Sequence, residues 1–290
     1  MPSVYRQGLF DGRVAIVTGG ATGIGLAIAE ALVSLGARVV IASRKRRRLV
    51  TSARGLSEEY GGEVLPLVCN IRERAQVDAL IGTTLDHFGK LDFLVNNGGG
   101  QFLSPAEKVS ENGWHAVIET NLTGTFHMCQ AAHAGYMGEH GGRIVNIVAD
   151  MWRGFPGMVH TGAARAGVVN MTQTLAVEWA GAGILINCVA PGTILSTGMH
   201  NYPPEVPAAA ASIIPLKRLG TVQEVADSVL YFLSPAGDFT TGATLRVDGG
   251  GSLWGDAFVI ADREGGGELQ IPPWPEERWP QHVPEDGEEE

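Results

Sequence analysis

Cysteine is scarce in this chain: there are three, Cys69, Cys129 and Cys188, and no two stand at the spacing of a metal site. An odd, widely spaced set excludes a disulfide framework. The three read as small apolar residues in a reducing compartment, and no metal is expected. Positive charge is also short, with 21 Lys and Arg against 31 Asp and Glu and a net charge of -10. That balance argues against a partner held through nucleic-acid phosphates. Long apolar runs are missing too. Residues 184–190 form one of the longest, far short of the roughly 20 that a membrane helix needs. Residues 1–10 have no apolar signal core, and residues 288–290 match neither a prenylation nor a peroxisomal address. The expectation is a soluble, cytoplasmic protein with no membrane partner.

What the chain does have is a 44% hydrophobic composition over 290 residues, enough for one large α/β domain. Short apolar runs at 14–18, 38–42, 64–68, 91–95, 143–148, 185–189 and 244–247 are predicted strands. Between them lie helical patterns. Ile24, Ala27, Ile28, Ala31, Leu32 and Leu35 repeat at helical spacing, and further helices are predicted near 46–60, 73–88, 114–137, 162–180 and 221–233. Alternating β and α units with nearly all-apolar strands predict a parallel sheet covered on both faces. With right-handed crossovers this is a doubly wound, Rossmann-type α/β fold in a single domain over residues 1–250. Residues 193–216, with Pro203, Pro204, Pro207 and Pro215 around a run of alanines, are predicted to be a mobile substrate loop. Residues 251–290 carry Pro272, Pro273, Pro275, Pro280 and Pro284 among acids and read as a disordered tail, with Trp254, Phe258, Trp274 and Trp279 as anchor points.

The sharpest motif is Thr18-Gly19-Gly20-Ala21-Thr22-Gly23-Ile24-Gly25, which ends the first strand and opens the first helix. Glycines let the backbone approach a diphosphate, and the helix start aims free N–H groups at it. Gly19, Thr22, Gly23, Ile24 and Gly25 are therefore candidate cofactor contacts. The second strand ends in Ala42-Ser43-Arg44-Lys45, with no carboxylate to accept ribose hydroxyls. Ser43, Arg44 and Lys45 would instead meet a 2′-phosphate, so the expected cofactor is NADP(H). A merely solvated helix start is the plain alternative.

The glycine spacing resembles the TGxxxGxG form of the short-chain dehydrogenase/reductases. That resemblance implies that Cys69, Asn70 and Ile71 border the adenine, and that Asn97, Gly98 and Gly99 form an NNAG-like turn. It also carries Pro191, Gly192, Thr193 and Ile194 into the cofactor site. Asn121, in Thr120-Asn121-Leu122-Thr123-Gly124, falls at the family's catalytic asparagine. The other catalytic positions depart from the pattern: Thr161 stands for the tyrosine, Arg165 for the lysine, and Val148 or Ala149 for the serine. A threonine hydroxyl is no practical acid, and arginine does not release a proton near neutrality.

The segments Leu94 to Pro105, Gly113 to Val117 and Val159 to Val168 look like the peroxisomal trans-2-enoyl-CoA reductase branch, and dienoyl-CoA reductases share a similar His-x-Gly-x-Ala-Lys/Arg pattern. The resemblance implies NADPH-dependent reduction of a fatty acyl-CoA thioester, by a homodimer or homotetramer. In that role Arg165 would bind the nicotinamide ribose, Thr161 would donate to the thioester oxygen and Asn121 would hold a water. Asp150 and His160 are the spare proton-relay candidates. A carbonyl or dienoyl-CoA reductase of the same fold, or a silent NADP-binding protein, is the alternative.

Overall fold

The structure, a computed structural model, describes residues 5–196 and 210–253. Positions 197–209 of the predicted substrate loop and positions 254–290 of the predicted tail lie outside the described residues.

Strand β1 (Val14–Thr18) is wholly buried. Its alternation sends Ala15 and Val17 into one apolar layer and Val14 and Ile16 into the other. Helix α1 (Gly23–Ser34) packs in the first layer. Then follow β2 (Arg38–Ser43), α2 (Arg46–Tyr60), β3 (Val64–Val68), α3 (Arg74–Phe88) and β4 (Phe93–Asn96). Left-handed glycines, Gly61 and Gly89, end α2 and α3. A long helical rod comes next, as α4 (Glu111–Ile118), α5 (Gly124–Ala132) and α6 (Gly138–His140), joined by π turns. Strand β5 (Gly142–Ile147) leads to α7 (Val159–Glu178) and β6 (Ile184–Pro191). A two-stranded pair, β7 (Ile194–Leu195) with β8 (Gly220–Thr221), precedes α8 (Val222–Leu233) and the last strand β9 (Thr244–Val247).

The main sheet has seven parallel strands in the order β3-β2-β1-β4-β5-β6-β9. All seven predicted strands are present, and both faces are covered: α1 and α8 on one side, α3, α5 and α7 on the other. The order reverses between β1 and β4, which pair from Ala15↔Phe93 to Val17↔Val95. Helices leave this point toward opposite faces and open a crevice at the carboxyl ends of the strands.

The structure revises three details. The helix predicted over 114–137 starts earlier, at Glu111, because the Ser110 hydroxyl caps it by accepting the Gly113 N–H at 3.1 Å. It is also interrupted by the π turns Glu119–Thr123 and His133–Met137, which an apolar period does not reveal. The β7–β8 pair is too short to register as an alternating pattern.

Candidate active site

Thr18, the last residue of β1, organises the crevice. Its Oγ1 accepts the N–H groups of Asn97 at 3.0 Å and Gly98 at 2.8 Å. In return Asn97 Nδ2 donates to the Thr18 carbonyl at 3.0 Å. The turn after β1 is so tight that a Cβ on Gly25 would collide with the Gly19 carbonyl and Asn97 Nδ2. Gly19 itself has a φ of +65°. Thr22 caps α1 without a side-chain hydrogen bond, and no acid stands in the first turn. The positive end of this helix is therefore uncompensated, and close backbone, free N–H groups and a bare dipole end suit a diphosphate.

The neighbouring candidates fall along the same edge. Arg44 and Lys45 are exposed just past Ser43, and Lys45 is the N-cap of α2, whose first turn also lacks an acid. The Cys69 N–H donates to the Ser43 carbonyl at 2.9 Å, and burial pushes the Cys69 thiol up to about 11. Asn70 Oδ1 accepts the Arg72 N–H at 3.3 Å, and a Cβ on Gly98 would lie 3.3 Å from Ile71.

A cavity of about 840 Å³ opens from this edge, within the size range of small-molecule sites. Its lining includes Ile24, Asn97, Gly99, Arg165, Pro191, Gly192, Thr193 and Ile194. Large apolar side chains also line it: Phe102, Leu103, Phe155, Met158, Ile213 and Ile214. Asp150, Arg153 and Asp248 add charge.

Arg165 reaches the cavity from α7 and is only 8% exposed. Its one hydrogen bond among the described residues runs from Nη1 to the Ile147 carbonyl, at 2.9 Å. Burial holds its guanidinium down to about 10, against a small upward pull from Cys188, so it stays charged near neutrality. A buried cation without an anionic partner is costly unless a ligand completes it. Gly99 makes the room: a Cβ there would collide with Arg165 Nη2 and lie 2.6 Å from Asn121 Oδ1. Arg165 and Asn121 thus converge on one backbone position.

The remaining candidates divide. Asn121 is buried in the first π turn, where Nδ2 donates to Gly100 at 2.7 Å and Val117 at 2.9 Å while Oδ1 accepts the Gly100 N–H at 3.2 Å. It braces the Gly99-Gly100 backbone and does not line the cavity. Thr161 and His160 are fully buried and off the cavity wall. The Thr161 N–H donates to His160 Nδ1 at 2.7 Å, so the neutral ring carries its proton on Nε2. That buried Nε2 has no partner among the described residues, and burial pushes the His160 pKa down. The ring packs edge-on against Phe102, with centroids 4.4 Å apart.

Asp150 does line the cavity, along with Val148 and Ala149. Burial pushes its carboxyl above the usual range and the Asp248 charge adds to this, against weaker downward pulls from the Trp152 N–H, Arg246 and Arg153. Asp248 also lines the cavity, and the motifs do not single it out. Its signal is a carboxylate between the last strand and Gly249-Gly250.

Sheet order, glycine turn and cavity together define an α/β protein built around a nucleotide cofactor. Residues 19–252 match the family described as Enoyl-(Acyl carrier protein) reductase, and the chain belongs to the short-chain dehydrogenase/reductases. It is 38% identical over 258 residues to the peroxisomal 2,4-dienoyl-CoA reductase [(3E)-enoyl-CoA-producing] of Danio rerio, covering 86% of this chain and 85% of that one. It is 37% identical to a probable 2,4-dienoyl-CoA reductase of Bacillus subtilis, over 82% of this chain and 96% of that one. Among solved structures, the citronellol catabolism dehydrogenase AtuB of Pseudomonas aeruginosa superposes with a TM-score of 0.79 at 43% identity, covering 87% and 100% of the two chains. An actinorhodin polyketide ketoreductase solved with NADPH has a TM-score of 0.79 at 32% identity, covering 83% and 98%. Among the described residues no helix is long and apolar enough to cross a membrane, and no cluster of three or more His, Cys, Asp or Glu could hold a metal ion.

Proposed function

We propose that this protein is an NADPH-dependent reductase of an unsaturated acyl-CoA thioester. The observation that carries it is Arg165, a buried guanidinium lining the cavity, whose one hydrogen bond among the described residues is to a backbone carbonyl. When bound, the reduced nicotinamide supplies a hydride to a double bond conjugated with the thioester carbonyl. The start of α1 holds the diphosphate, Arg165 holds the nicotinamide ribose, and Arg44 with Lys45 meets the 2′-phosphate. Phe102, Phe155 and Met158 receive the acyl chain and exclude water from the reacting carbons.

The names of the relatives favour a 2,4-dienoyl-CoA substrate. A trans-2-enoyl-CoA is the second reading, carried by the likeness of the Val159 to Val168 segment to that branch. Mixing purified protein with NADPH and each thioester in turn, and following the absorbance of the reduced nicotinamide, tests both. Turnover of either supports the proposal, and the faster of the two identifies the substrate class. Tight NADPH binding with no turnover of either overturns it.

The working form is a homo-oligomer on this reading. Trp114, Phe126 and Val177 leave apolar surface on α4, α5 and α7. Sedimentation of a single monomeric species at micromolar concentration would refute that part.

A further inference from the structure

The reductase reading leaves open what protonates the substrate, and the cavity holds two carboxyl groups in opposite surroundings. Among the described residues the usual donors are absent around it: Val148 and Ala149 occupy the serine turn, and Thr161 and His160 lie off the wall. Asp248 is locked as an acceptor. Its Oδ1 takes the Gly250 N–H at 3.0 Å and its Oδ2 the Ser252 N–H at 2.9 Å. Burial opposes its charge, but the donors of Ser252 and Gly250 outweigh that and draw it below the usual range.

Asp150 sits differently. Its own N–H is tied to the Pro191 carbonyl at 3.1 Å, which fixes the residue at the end of β6. Its half-buried carboxyl faces the Gly251 backbone, where a Cβ would lie 3.9 Å from Oδ2. The charged groups facing it are Asp248, Arg246 and Arg153. Arg246 is engaged elsewhere, stacked 4.0 Å over the Trp152 ring and donating to Ser252 Oγ at 3.2 Å. Two neighbouring carboxyls, one held ionised and the other favoured as the acid, divide the acid and anion roles between them.

We propose that the Asp150 carboxyl delivers the proton to the α-carbon of the substrate, and that Asp248 is the fixed anion that positions it as an acid. The proposal rests on the reductase reading above. Once the hydride has been added, an electron pair is shared between the α-carbon and the thioester oxygen. That pair takes the proton: the Asp150 O–H bond breaks, a C–H bond forms at the α-carbon, and Asp150 remains as a carboxylate. Water entering the emptied cavity restores its proton, so the hydride donor is the one reagent oxidised.

Carbon-detected NMR of protein labelled at the aspartate carboxyls, recorded without cofactor, reads the acid directly. One aspartate is expected to titrate above the ordinary value of about 3.9. Its signal should vanish in Asp150→Asn and move down toward the ordinary range in Asp248→Asn. In turnover, Asp150→Asn should lower kcat about 100-fold or more with the Kd for NADPH within twofold, and Asp150→Glu should restore part of the rate. Asp248→Asn should move the alkaline limb of the pH–kcat profile to lower pH. An Asp150 titrating in the ordinary range, or an Asn variant that keeps its rate, defeats the assignment and leaves the reductase reading standing. A wild-type protein inert toward every unsaturated acyl-CoA removes the reductase reading, and this assignment with it.

Discussion

Thr18 and Gly98 are joined by a 2.8 Å hydrogen bond from the glycine N–H to the threonine hydroxyl, across the place where the strand order reverses. The same oxygen takes the Asn97 N–H, so one side chain joins the end of β1 to the turn after β4 at the edge of the candidate cofactor site. Thr18 is only 2% exposed, and water cannot easily replace it.

Thr18→Val should therefore leave the Gly98 N–H without its acceptor and the Asn97 N–H with only the Val95 carbonyl, at 3.2 Å. A loss of about 1–3 kcal/mol in urea unfolding is expected, with NADPH bound more weakly. A variant as stable as the parent would show that the clamp contributes nothing.

Arg165→Met separates ligand binding from folding. Removing a buried, unpaired charge should leave the thermal midpoint of the cofactor-free protein unchanged or higher. The lost charge-assisted hydrogen bonds should raise the NADPH Kd by about 10- to 100-fold, equivalent to about 1.4–2.7 kcal/mol. Calorimetric titration checks the second effect and scanning calorimetry the first. A lower midpoint with unchanged affinity would reverse both roles.

Arg44→Ala bears on cofactor choice. Its exposed guanidinium should matter only to a ligand with a 2′-phosphate, so the NADPH Kd is expected to rise by about 10-fold or more while the NADH Kd hardly moves. Added salt should shrink the difference. Equal losses for both nucleotides would exclude a 2′-phosphate contact.

Asp150 also predicts a pH dependence of stability. Its carboxyl pKa is raised in the folded state, so folding favours the protonated form. The contribution is fully present below the unfolded value, is lost as pH rises through the raised folded value, and is constant beyond it. Asp150→Asn should then melt higher than the parent at neutral pH, with the gap closing as pH falls through the carboxylate range. A gap that is constant with pH would contradict this.

The fold was legible because its signals are local and repeated. Each buried strand is a short apolar run, and the glycine turn sits in β1–α1 as the spacing predicts. Arg165 and Asp150, both singled out in the sequence, line the cavity. Thr161 and His160 show the limit. They precede Arg165 by about one turn of α7, and Thr161 shares its face of the helix, yet both are fully buried and neither lines the cavity, which helical spacing alone does not reveal. Asn121 was found by motif, but its partner is not: the bond to Gly100 depends on a π turn that no hydrophobic period encodes. Asp248 and Asp150 are far apart in the chain and meet through strand pairing, which places Pro191 beside Val247.

The π turn Glu119–Thr123 widens the coil by about one residue over a regular α-helical winding. Deleting a single residue there would leave a straighter, better-bonded rod. Because the π turn already absorbs the extra residue, the segments on either side would keep nearly their present facing, and Trp114 and Val117 would stay on their present sides. A deletion in the regular winding of α4 or α5 has no such slack and would rotate one part against the other by about 100°, like a twist on a shaft.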